Sequence, residues 1–240
     1  MKAFTSMIIR FVIAQIIFIF ISLPFIFFPR IIHFKILYPL FFKLYLWAAK
    51  TKIHNLSDKA FDDVSPVILA SNHKSFTDFC FVAKHLKNPF TIIIKKEMIN
   101  NIAFKFLAWK MGLIPVDRAN SISQLKAIQK ANKMILKNKY SLILFIEGWY
   151  TFDKPIGTIK NGIVKLAKDT GVKIIPIAIY GIKNTFFKEQ KLIWKNVYIK
   201  RGYPITYDEF NDKILFLKEL KSRIEKLYYE IESHVNSTKN

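Results

Sequence analysis

The stretch PVILASNHKSFTD, residues 66–78, runs from an apolar segment directly into a polar segment that contains a histidine and an aspartate. Its first five residues are rich in Val, Ile and Leu, which is typical of a strand buried within a sheet. In α/β folds, reactive groups follow such strands and lie beyond their carboxyl ends. We therefore expect a strand over residues 66–70 and a functional site in the residues that follow it.

Short apolar runs alternate with longer amphipathic ones from about residue 55 onward. This alternation predicts α/β packing, in which helices cover a sheet. The other predicted strands occupy residues 91–94, 113–116, 141–146, 173–180 and 196–201, and the predicted helices occupy 123–137, 158–169 and 211–233. Apolar residues at helical spacing predict the core-facing sides of the first and last of these helices: Leu125, Ile128, Ala131 and Ile135 in the first, and Leu217, Leu220, Ile224, Leu227 and Ile231 in the last.

The composition excludes two broad classes of protein. At 52% hydrophobic residues, the 240-residue chain is too apolar to be disordered, and its single cysteine, Cys80, can form no intramolecular disulfide. Lysine and arginine number 38 against 17 aspartate and glutamate residues, which gives a net charge of +21. A chain that is both basic and apolar is expected to bind an anionic membrane surface.

The N-terminal apolar stretch is predicted to contact the membrane. Between Arg10 and Arg30, only Gln15 and Ser22 have polar side chains. Nineteen helical residues would span about 28 Å, close to the thickness of the hydrocarbon core, but two prolines near the end would kink or end the helix. Crossing the membrane and dipping into it are therefore both open. No small-residue cleavage site follows the stretch, which argues against a signal peptide.

A second apolar stretch, residues 31–50, is interrupted by His33, Lys35 and Lys43. Two interpretations are open for this stretch. It is either a helix that lies in the lipid headgroup zone or a helix that packs on the protein's own core.

His73 and Asp78 form the candidate catalytic pair. In a continuous helix, five residues turn by about 500°, so the two side chains would point about 140° apart and could not meet. We therefore expect His73 to precede the helix, so that the Asp78 carboxylate reaches back to one imidazole nitrogen and leaves the other free as a base. The alternative is a loop histidine and a helix-capping aspartate that do not interact.

Further polar residues follow other predicted strands. Glu147 offers an acceptor for hydroxyl groups, and Gly148 beside it lets the backbone approach a ligand closely. Arg118 has a planar guanidinium suited to phosphate, and Lys96 occupies a similar place after its strand. Each has a plain structural alternative: a common turn for the Glu-Gly pair, a surface ion pair with Asp117 for the arginine, and a solvated helix start for the lysine.

In order and spacing, these motifs resemble those of the glycerolipid acyltransferases, specifically the bacterial 1-acyl-sn-glycerol-3-phosphate acyltransferases. The resemblance covers about residues 55–185, and the N-terminal apolar pair resembles the two-helix membrane motif of that family. The matching residues are Asn72, His73 and Asp78 in the first block, Lys95 to Glu97 in the second, Gly112, Ile114, Val116 and Arg118 in the third, Glu147 and Gly148 in the fourth, and Ile175 to Ala178 in the fifth.

This resemblance implies a fold and a reaction. The expected fold is α/β, a mixed, mostly parallel sheet flanked by helices, with membrane-associated anchor helices over residues 1–50 and a catalytic domain over residues 51–240. The expected reaction moves a fatty acyl group from acyl-CoA or acyl-ACP to the sn-2 hydroxyl of 1-acyl-sn-glycerol-3-phosphate, giving phosphatidic acid. It would occur at the cytoplasmic membrane, with the catalytic domain facing the cytosol where the thioester donors are.

The resemblance also implies roles for individual residues. His73 would be the general base, and Asp78 would orient its ring. Neither a metal nor a cofactor is expected, and Cys80 should be no nucleophile because its apolar neighbours, Phe79 and Phe81, should raise the pKa of its thiol. The residues expected to bind substrate are Asn72, Lys96, Arg118, Glu147 and Gly148.

One block departs from the family pattern. Where the family has Phe-Pro-Glu-Gly-Thr-Arg-Ser, residues 145–151 are FIEGWYT, so Trp149 and Tyr150 replace a threonine and an arginine. That arginine is expected to help bind the phosphate of the acceptor. Either Arg118 and Lys96, with Lys160, suffice for this, or the acceptor is another lysophospholipid or lipid alcohol.

An alternative of a different class is a membrane-tethered basic binding protein. Its support is the mixture of lysines and aromatic residues over 191–203, which is typical of a nucleic-acid interface but equally of an amphipathic pair of strands. We expect no nucleic acid as a partner, and composition predicts nothing about the oligomeric state.

Overall fold

The structure is a computed structural model of the chain. It describes residues 2–22, 24, 27–29, 32–57, 66–75, 78–83, 86, 89–100, 102–151, 154–181 and 196–238.

Seven strands in the described ranges form one sheet. They are β1 Lys52–Asn55, β2 Ile68–Ser71, β3 Phe90–Lys95, β4 Ile114–Val116, β5 Ser141–Phe145, β6 Ile174–Tyr180 and β7 Asn196–Arg201. Their order across the sheet is β1-β7-β6-β2-β5-β3-β4. The pair β6 and β7 is antiparallel and the other neighbouring pairs are parallel, so β2 to β6 all end at the same edge of the sheet.

Strand β2 lies at the centre of the sheet, between β5 and β6. Its four residues are all buried, because each face of the sheet is covered by helices. Successive side chains alternate between the two faces: Leu69 belongs to one hydrophobic core and Ile68 and Ala70 to the other.

The helices of the described ranges are α1 Lys2–Ser22, α2 Tyr38–Ala49, α3 Asp78–Ala83, α4 Ile102–Met111, α5 Ser121–Leu136, α6 Gly162–Thr170 and α7 Lys213–Ser237. A π-helical turn, His33–Leu37, precedes α2, and a 3₁₀ helix, Lys96–Asn100, precedes α4. Helices α2, α3 and α4 cover one face of the sheet, and α5, α6 and α7 cover the other.

Local sequence determines several helix ends. Helix α5 begins after Asn120 and α7 after Asp212, whose side chains accept hydrogen bonds from the backbone amides of Ser123 and Leu215. Helix α6 ends at Gly171, whose φ of 62° is a left-handed conformation that favours glycine.

The six predicted strands are confirmed to within two residues at each end. Strand β1 is one that the pattern does not predict, because it has only four residues and its partly exposed side chains show no apolar run. The predicted helix over 158–169 begins later, at Gly162, since the preceding residues run alongside the end of β5. The predicted stretch 191–203 is described only from Asn196, and its earlier part lies outside the described residues.

The core-facing predictions need two corrections. Leu125 is exposed, because the buried side of α5 is centred on Ala131 and includes Ala127 and Met134 instead. In α7, Leu217 is only half-buried and Phe216 takes the fully buried position.

The N-terminal helix α1 packs on α2. Phe11 lies against Tyr45 and Phe18 against Phe41, with ring centroids 5.4 and 5.2 Å apart. Arg10 donates a hydrogen bond of 3.0 Å from Nε to the carbonyl oxygen of Ala48 at the end of α2. These contacts join the two predicted anchor helices into one unit.

Helix α2 in turn packs on the sheet. Phe42 and Leu46 belong to the same hydrophobic core as residues of β2, β5 and β6. Of the two interpretations of residues 31–50, the structure therefore shows packing on the protein's own core. In the part of the chain that is described, no helix combines the length and the hydropathy needed to cross a membrane.

Candidate active site

The candidate site lies at the edge of the sheet where β2 and β5 end. Ser71 of β2 is paired with Phe145 of β5, so the residues that follow the two strands are neighbours. His73 follows the first strand and Glu147 the second. The parallel pairing thus brings together two polar segments that are 74 residues apart in the sequence.

His73 and Asp78 meet as the spacing requires. Helix α3 begins at Asp78, so His73 lies in the turn before it, and its Nδ1 is 2.9 Å from Oδ2 of the aspartate. The same oxygen accepts hydrogen bonds from the backbone amides of Lys74, at 2.6 Å, and Ser75, at 2.8 Å. Among the described residues, Oδ1 of this fully buried carboxylate has no hydrogen-bond partner.

The position of the carboxylate assigns the tautomer of His73. A carboxylate that already accepts two amide hydrogens is an acceptor here, so Nδ1 of the imidazole carries the hydrogen and Nε2 has the free lone pair. No residue in the described ranges forms a hydrogen bond with Nε2. The nitrogen is therefore available to accept a proton from a substrate.

Two aromatic rings surround the imidazole. Phe145 stacks on it with a centroid distance of 4.1 Å and an interplanar angle of 12°, and the ring of Tyr150 lies at 4.4 Å. His73 is buried. Burial of this kind limits water around the base and strengthens its electrostatic interaction with Asp78.

Glu147 braces the backbone around the histidine. Its Oε1 accepts a hydrogen bond of 2.7 Å from the backbone amide of His73, and its Oε2 accepts one of 2.6 Å from the amide of Gly157. The amide of Thr151 donates to the carbonyl oxygen of His73 at 3.0 Å. The buried carboxylate therefore ties the His73 turn to the loop after β5.

Two glycines make this arrangement possible. Gly148 has a φ of 69°, which turns the chain sharply after Glu147. A Cβ atom on Gly157 would lie 2.7 Å from Oε2 of Glu147 and 2.6 Å from Oγ1 of Thr151, so a larger residue would displace one of them.

Asn72 is buried directly before the histidine. Its Nδ2 donates to the carbonyl oxygens of Ile179, at 3.0 Å, and Pro155, at 3.1 Å, while its Oδ1 accepts from the amide of Ile179 at 2.8 Å. These bonds use both of its donor hydrogens within the protein. Substrate binding by Asn72 stays a prediction, and the contacts show a side chain that links β2 to β6.

The two basic residues of the prediction lie at the edge of the site. The half-buried guanidinium of Arg118 is 5.5 Å from the centroid of the Trp149 ring. The pKa of Arg118 is lowered because the guanidinium is partly buried, and the electrostatic influence of Tyr150 and Glu97 offsets part of this decrease. The side chain thus reaches towards the loop that carries Tyr150, which in turn contacts His73.

Lys96 is more exposed and has an acidic partner. Its Nζ lies 3.2 Å from Oδ2 of Asp117, so this aspartate pairs with Lys96. Hydrogen bonds from the amide of Ala119 and from Lys96 lower the pKa of Asp117. The ion pair holds Lys96 beside Asp117, the residue that follows β4 and directly precedes Arg118.

Lys74 is a residue of the site that the sequence does not single out. Only 3% of it is exposed, and its Nζ donates to the carbonyl oxygens of Thr151, at 2.6 Å, and Lys154. The ammonium group also lies 5.4 Å from the ring centroid of Tyr228. Lysine is rarely buried, so no local pattern predicts this role.

Cys80 is buried in α3, and burial raises the pKa of its thiol well above the ordinary value, with a further increase from the charge of Asp78. The predicted direction of this pKa is confirmed. In the described part of the chain, no three His, Cys, Asp or Glu side chains are grouped so that they could bind a metal ion.

Comparison with known proteins gives consistent matches. The family model described as Acyltransferase matches residues 50–180. A Mycoplasma genitalium protein named "Probable 1-acyl-sn-glycerol-3-phosphate acyltransferase" is 30% identical over 165 residues, which are 67% of this chain and 60% of that protein. A Borreliella burgdorferi protein named 1-acyl-sn-glycerol-3-phosphate acyltransferase is 29% identical over 146 residues, 61% of this chain and 58% of that protein. The chain therefore spans about three fifths of the length of these two relatives.

A solved structure shares the fold. The crystal structure of the 1-acyl-sn-glycerophosphate acyltransferase from Thermotoga maritima matches with a TM-score of 0.62 and 19% sequence identity, covering 80% of this chain and 78% of that one. The predicted fold class, a mixed, mostly parallel sheet flanked by helices, is confirmed.

Proposed function

Since the chain belongs to the acyltransferase family, we propose that it moves a fatty acyl group from a thioester to the sn-2 hydroxyl of 1-acyl-sn-glycerol-3-phosphate, giving phosphatidic acid. The observation that carries this proposal is the buried pair of His73 and Asp78, joined at 2.9 Å with Nε2 of the histidine available as a base. The names of the relatives support the choice of acceptor. The proposed donor is acyl-CoA or acyl-ACP.

The proposed reaction needs one base and no covalent acyl-enzyme. Nε2 of His73 removes the hydroxyl proton as the acceptor oxygen bonds to the thioester carbonyl carbon. The carbon–sulfur bond then breaks, and the departing sulfur takes the proton from the imidazolium, so the histidine returns to its starting state. Asp78 stabilises the imidazolium that forms between the two steps.

In this scheme, Glu147 and Asn72 are positioning residues for His73. Their hydrogen bonds hold the backbone on both sides of His73, which keeps the imidazole aimed at one place. Because a displacement of about 1 Å can reduce a rate about a hundredfold, such bracing matters for the reaction even without contact to the substrate.

The phosphate of the acceptor is proposed to bind at Arg118 and Lys96, which are the basic groups that lie beside Trp149 and Asp117. One observation favours a second candidate acceptor: Tyr150, at the position of the family's arginine, places an uncharged ring 4.4 Å from the imidazole. A lipid alcohol or a lysophospholipid with a different headgroup is therefore the alternative.

We place the reaction at the cytoplasmic membrane, with the catalytic domain facing the cytosol. The support is the apolar exterior of α1, on which Ile9, Val12, Ile16, Phe20 and Ile21 are exposed, together with the net charge of +21. Basic residues near an anionic leaflet contribute about 1 kcal/mol each to binding.

The deciding experiment offers the purified protein a labelled palmitoyl thioester and a panel of lysolipids, with the products identified by mass spectrometry. We expect labelled phosphatidic acid from 1-acyl-sn-glycerol-3-phosphate. Acylation only of an acceptor without a phosphate monoester would support the alternative. Absence of acyl transfer to every lysolipid, with both acyl-CoA and acyl-ACP, would contradict the proposed function.

A further inference from the structure

Helix α5 and its C-cap residue, Lys137, present four lysines on one face. Lys126, Lys130, Lys133 and Lys137 follow one another at steps of four, three and four residues, and all four are exposed. This spacing places them within one narrow sector of the helix. From the first to the last, the lysine stripe extends over about 16 Å.

The lysine stripe has no acidic partner in the described part of the chain. Helix α5, Ser121–Leu136, contains neither aspartate nor glutamate. The acidic residue on neighbouring α6, Asp169, is bound instead to Lys165, at 3.1 Å, and to Asn132, at 2.7 Å. Like charges three and four residues apart on a helix destabilise it, so the stripe does not stabilise α5 on its own.

Exposed apolar side chains lie beside the lysine stripe. Ile122 and Leu125 are 64% and 46% exposed, and Leu136 is exposed at the other end of the helix. By helical geometry they occupy the sector next to the lysines. Apolar side chains flanked by charges are typical of a surface that binds another protein.

The position of α5 separates this surface from α1, the helix that is proposed to contact the membrane. Helices α1 and α2 lie on one side of the sheet, and α5 covers the opposite face. Helix α5 begins three residues after Arg118, just beyond the carboxyl end of β4. His73 also lies at the carboxyl ends of the parallel strands. The first turn of α5 therefore lies at the same end of the sheet as the active site, and a partner on α5 would be away from a bilayer bound by α1.

We propose that the lysine stripe with Ile122 and Leu125 is the docking surface for an acidic carrier protein that delivers the acyl thioester. This inference rests on the proposed function and selects acyl carrier protein as the donor. A row of four positive charges along a convex helix complements an acidic helix of a protein. Coenzyme A, a small molecule, would instead require a concave site.

The test is a charge-reversal variant with Lys126→Glu, Lys130→Glu and Lys133→Glu. Its matched control is Lys213→Glu, Lys218→Glu and Lys226→Glu, which reverses three exposed lysines of α7 and changes the net charge equally. Steady-state kinetics are measured with palmitoyl-acyl carrier protein and with palmitoyl-CoA for one lysophosphatidate acceptor. Binding of the carrier protein to each variant is measured separately by calorimetry.

We expect the stripe variant to raise KM for palmitoyl-acyl carrier protein by about tenfold or more, because several charge pairs at the interface are reversed. KM for palmitoyl-CoA should change far less, and the α7 control should behave as the unmodified protein with both donors. In high salt, the increase in KM for palmitoyl-acyl carrier protein caused by the stripe variant should become smaller, because salt screens the charge pairs.

Three results would overturn the docking surface. They are equal losses with both donors, no loss with either donor, and weakened binding to anionic vesicles with unchanged use of the carrier protein. If the unmodified chain transfers no acyl group at all, the proposed function fails instead. The calorimetric measurement then still decides whether the lysine stripe binds the carrier protein.

Discussion

Among the individual residues, the site depends on two buried carboxylates that accept hydrogen bonds from backbone amides. Oδ2 of Asp78 accepts from the amides of Lys74 and Ser75 as well as from His73, so its position is determined by the turn itself. The two carboxylate oxygens of Glu147 likewise accept hydrogen bonds from the amides of His73 and Gly157. Buried carboxylates of this kind hold their neighbours in one geometry, since a lost bond leaves a buried donor without a partner.

Replacement of His73 or Asp78 should reduce turnover without unfolding the chain. We expect His73→Ala to lower kcat by about 10²–10⁴-fold because the base is lost. Asp78→Asn should lower kcat as well, because it removes the charge that stabilises the imidazolium. The control is His234→Ala, which changes an exposed histidine at the end of α7. A folded His73→Ala protein with full activity would contradict the mechanism.

At the scale of the element, strand pairing and loop packing assemble the site. Strands β2, β5 and β6 lie side by side, and the loop after β5 returns past Glu147, where the amide of Lys160 donates to the carbonyl oxygen of Ile146. Lys74 also binds this loop, because its Nζ donates hydrogen bonds to the carbonyl oxygens of Thr151 and Lys154. The loop is thereby held over the His73 turn.

Two glycine substitutions should distinguish the contribution of the loop after β5 to catalysis from a general effect on folding stability. Gly157→Ala places a Cβ atom against Glu147 and Thr151, so it should lower kcat at least tenfold, the scale expected for a small displacement of catalytic groups. Gly171→Ala meets no atom within 4 Å but has a φ of 62°. It should cost about 1–2 kcal/mol of folding free energy and leave kcat unchanged. Kinetics and urea unfolding measure both, and equal kcat for the two variants would contradict the loop's role.

The contact of α7 with β6 should make stability sensitive to alkaline pH. Burial, followed by the charges of Tyr180 and Glu232, raises the pKa of Tyr228 to about 12. An unfolded tyrosine ionises near pH 10, so the folded state resists ionisation. Stability should therefore fall as pH rises from about 10 towards 12. Urea unfolding at several pH values should show a smaller fall for Tyr228→Phe, and an equal fall would contradict this explanation.

Across the whole molecule, the exposed apolar residues of α1 and the lysine stripe of α5 lie on different sides of the sheet. The apolar exterior of α1 is on the side of the sheet covered by α2, while the lysine stripe is on the side covered by α5. Because Phe42 and Leu46 of α2 also belong to the core of the sheet, and α1 packs on α2, both helices contribute to the folded body. Membrane experiments therefore require the full chain.

The full chain should bind anionic vesicles in a salt-dependent manner. We expect Phe20→Asp to weaken binding by about tenfold or more, since a buried phenylalanine contributes about 1.5–3 kcal/mol. Ile214→Asp is the matched control, because Ile214 is equally exposed on α7, across the sheet. Sedimentation with vesicles at low and high salt measures both. Equal binding of the two variants would contradict docking through α1.

The alternation of strands and helices, and the order of the motifs that carry the chemistry, could be predicted from the amino-acid sequence. Both are local properties, since apolar periodicity and the His-x4-Asp spacing depend on neighbouring residues. The same spacing required His73 to precede the helix that begins at Asp78, as the structure shows. The sequence pattern did not predict strand β1, because an edge strand depends on the strand that pairs with it. It also did not predict the exposure of Leu125, because the rotation of a helix about its axis depends on what packs against it.

Which backbone groups the buried side chains bind depends on how the strands pair in the folded protein. Glu147 meets the amide of His73 because β5 pairs with β2 in parallel, and Asn72 meets Ile179 because β6 lies on the other side of β2. The burial of Lys74 likewise depends on carbonyl oxygens 77 and 80 residues away. A buried polar group needs hydrogen-bond partners, and the fold supplies them from residues distant in sequence, so a local pattern cannot predict these contacts.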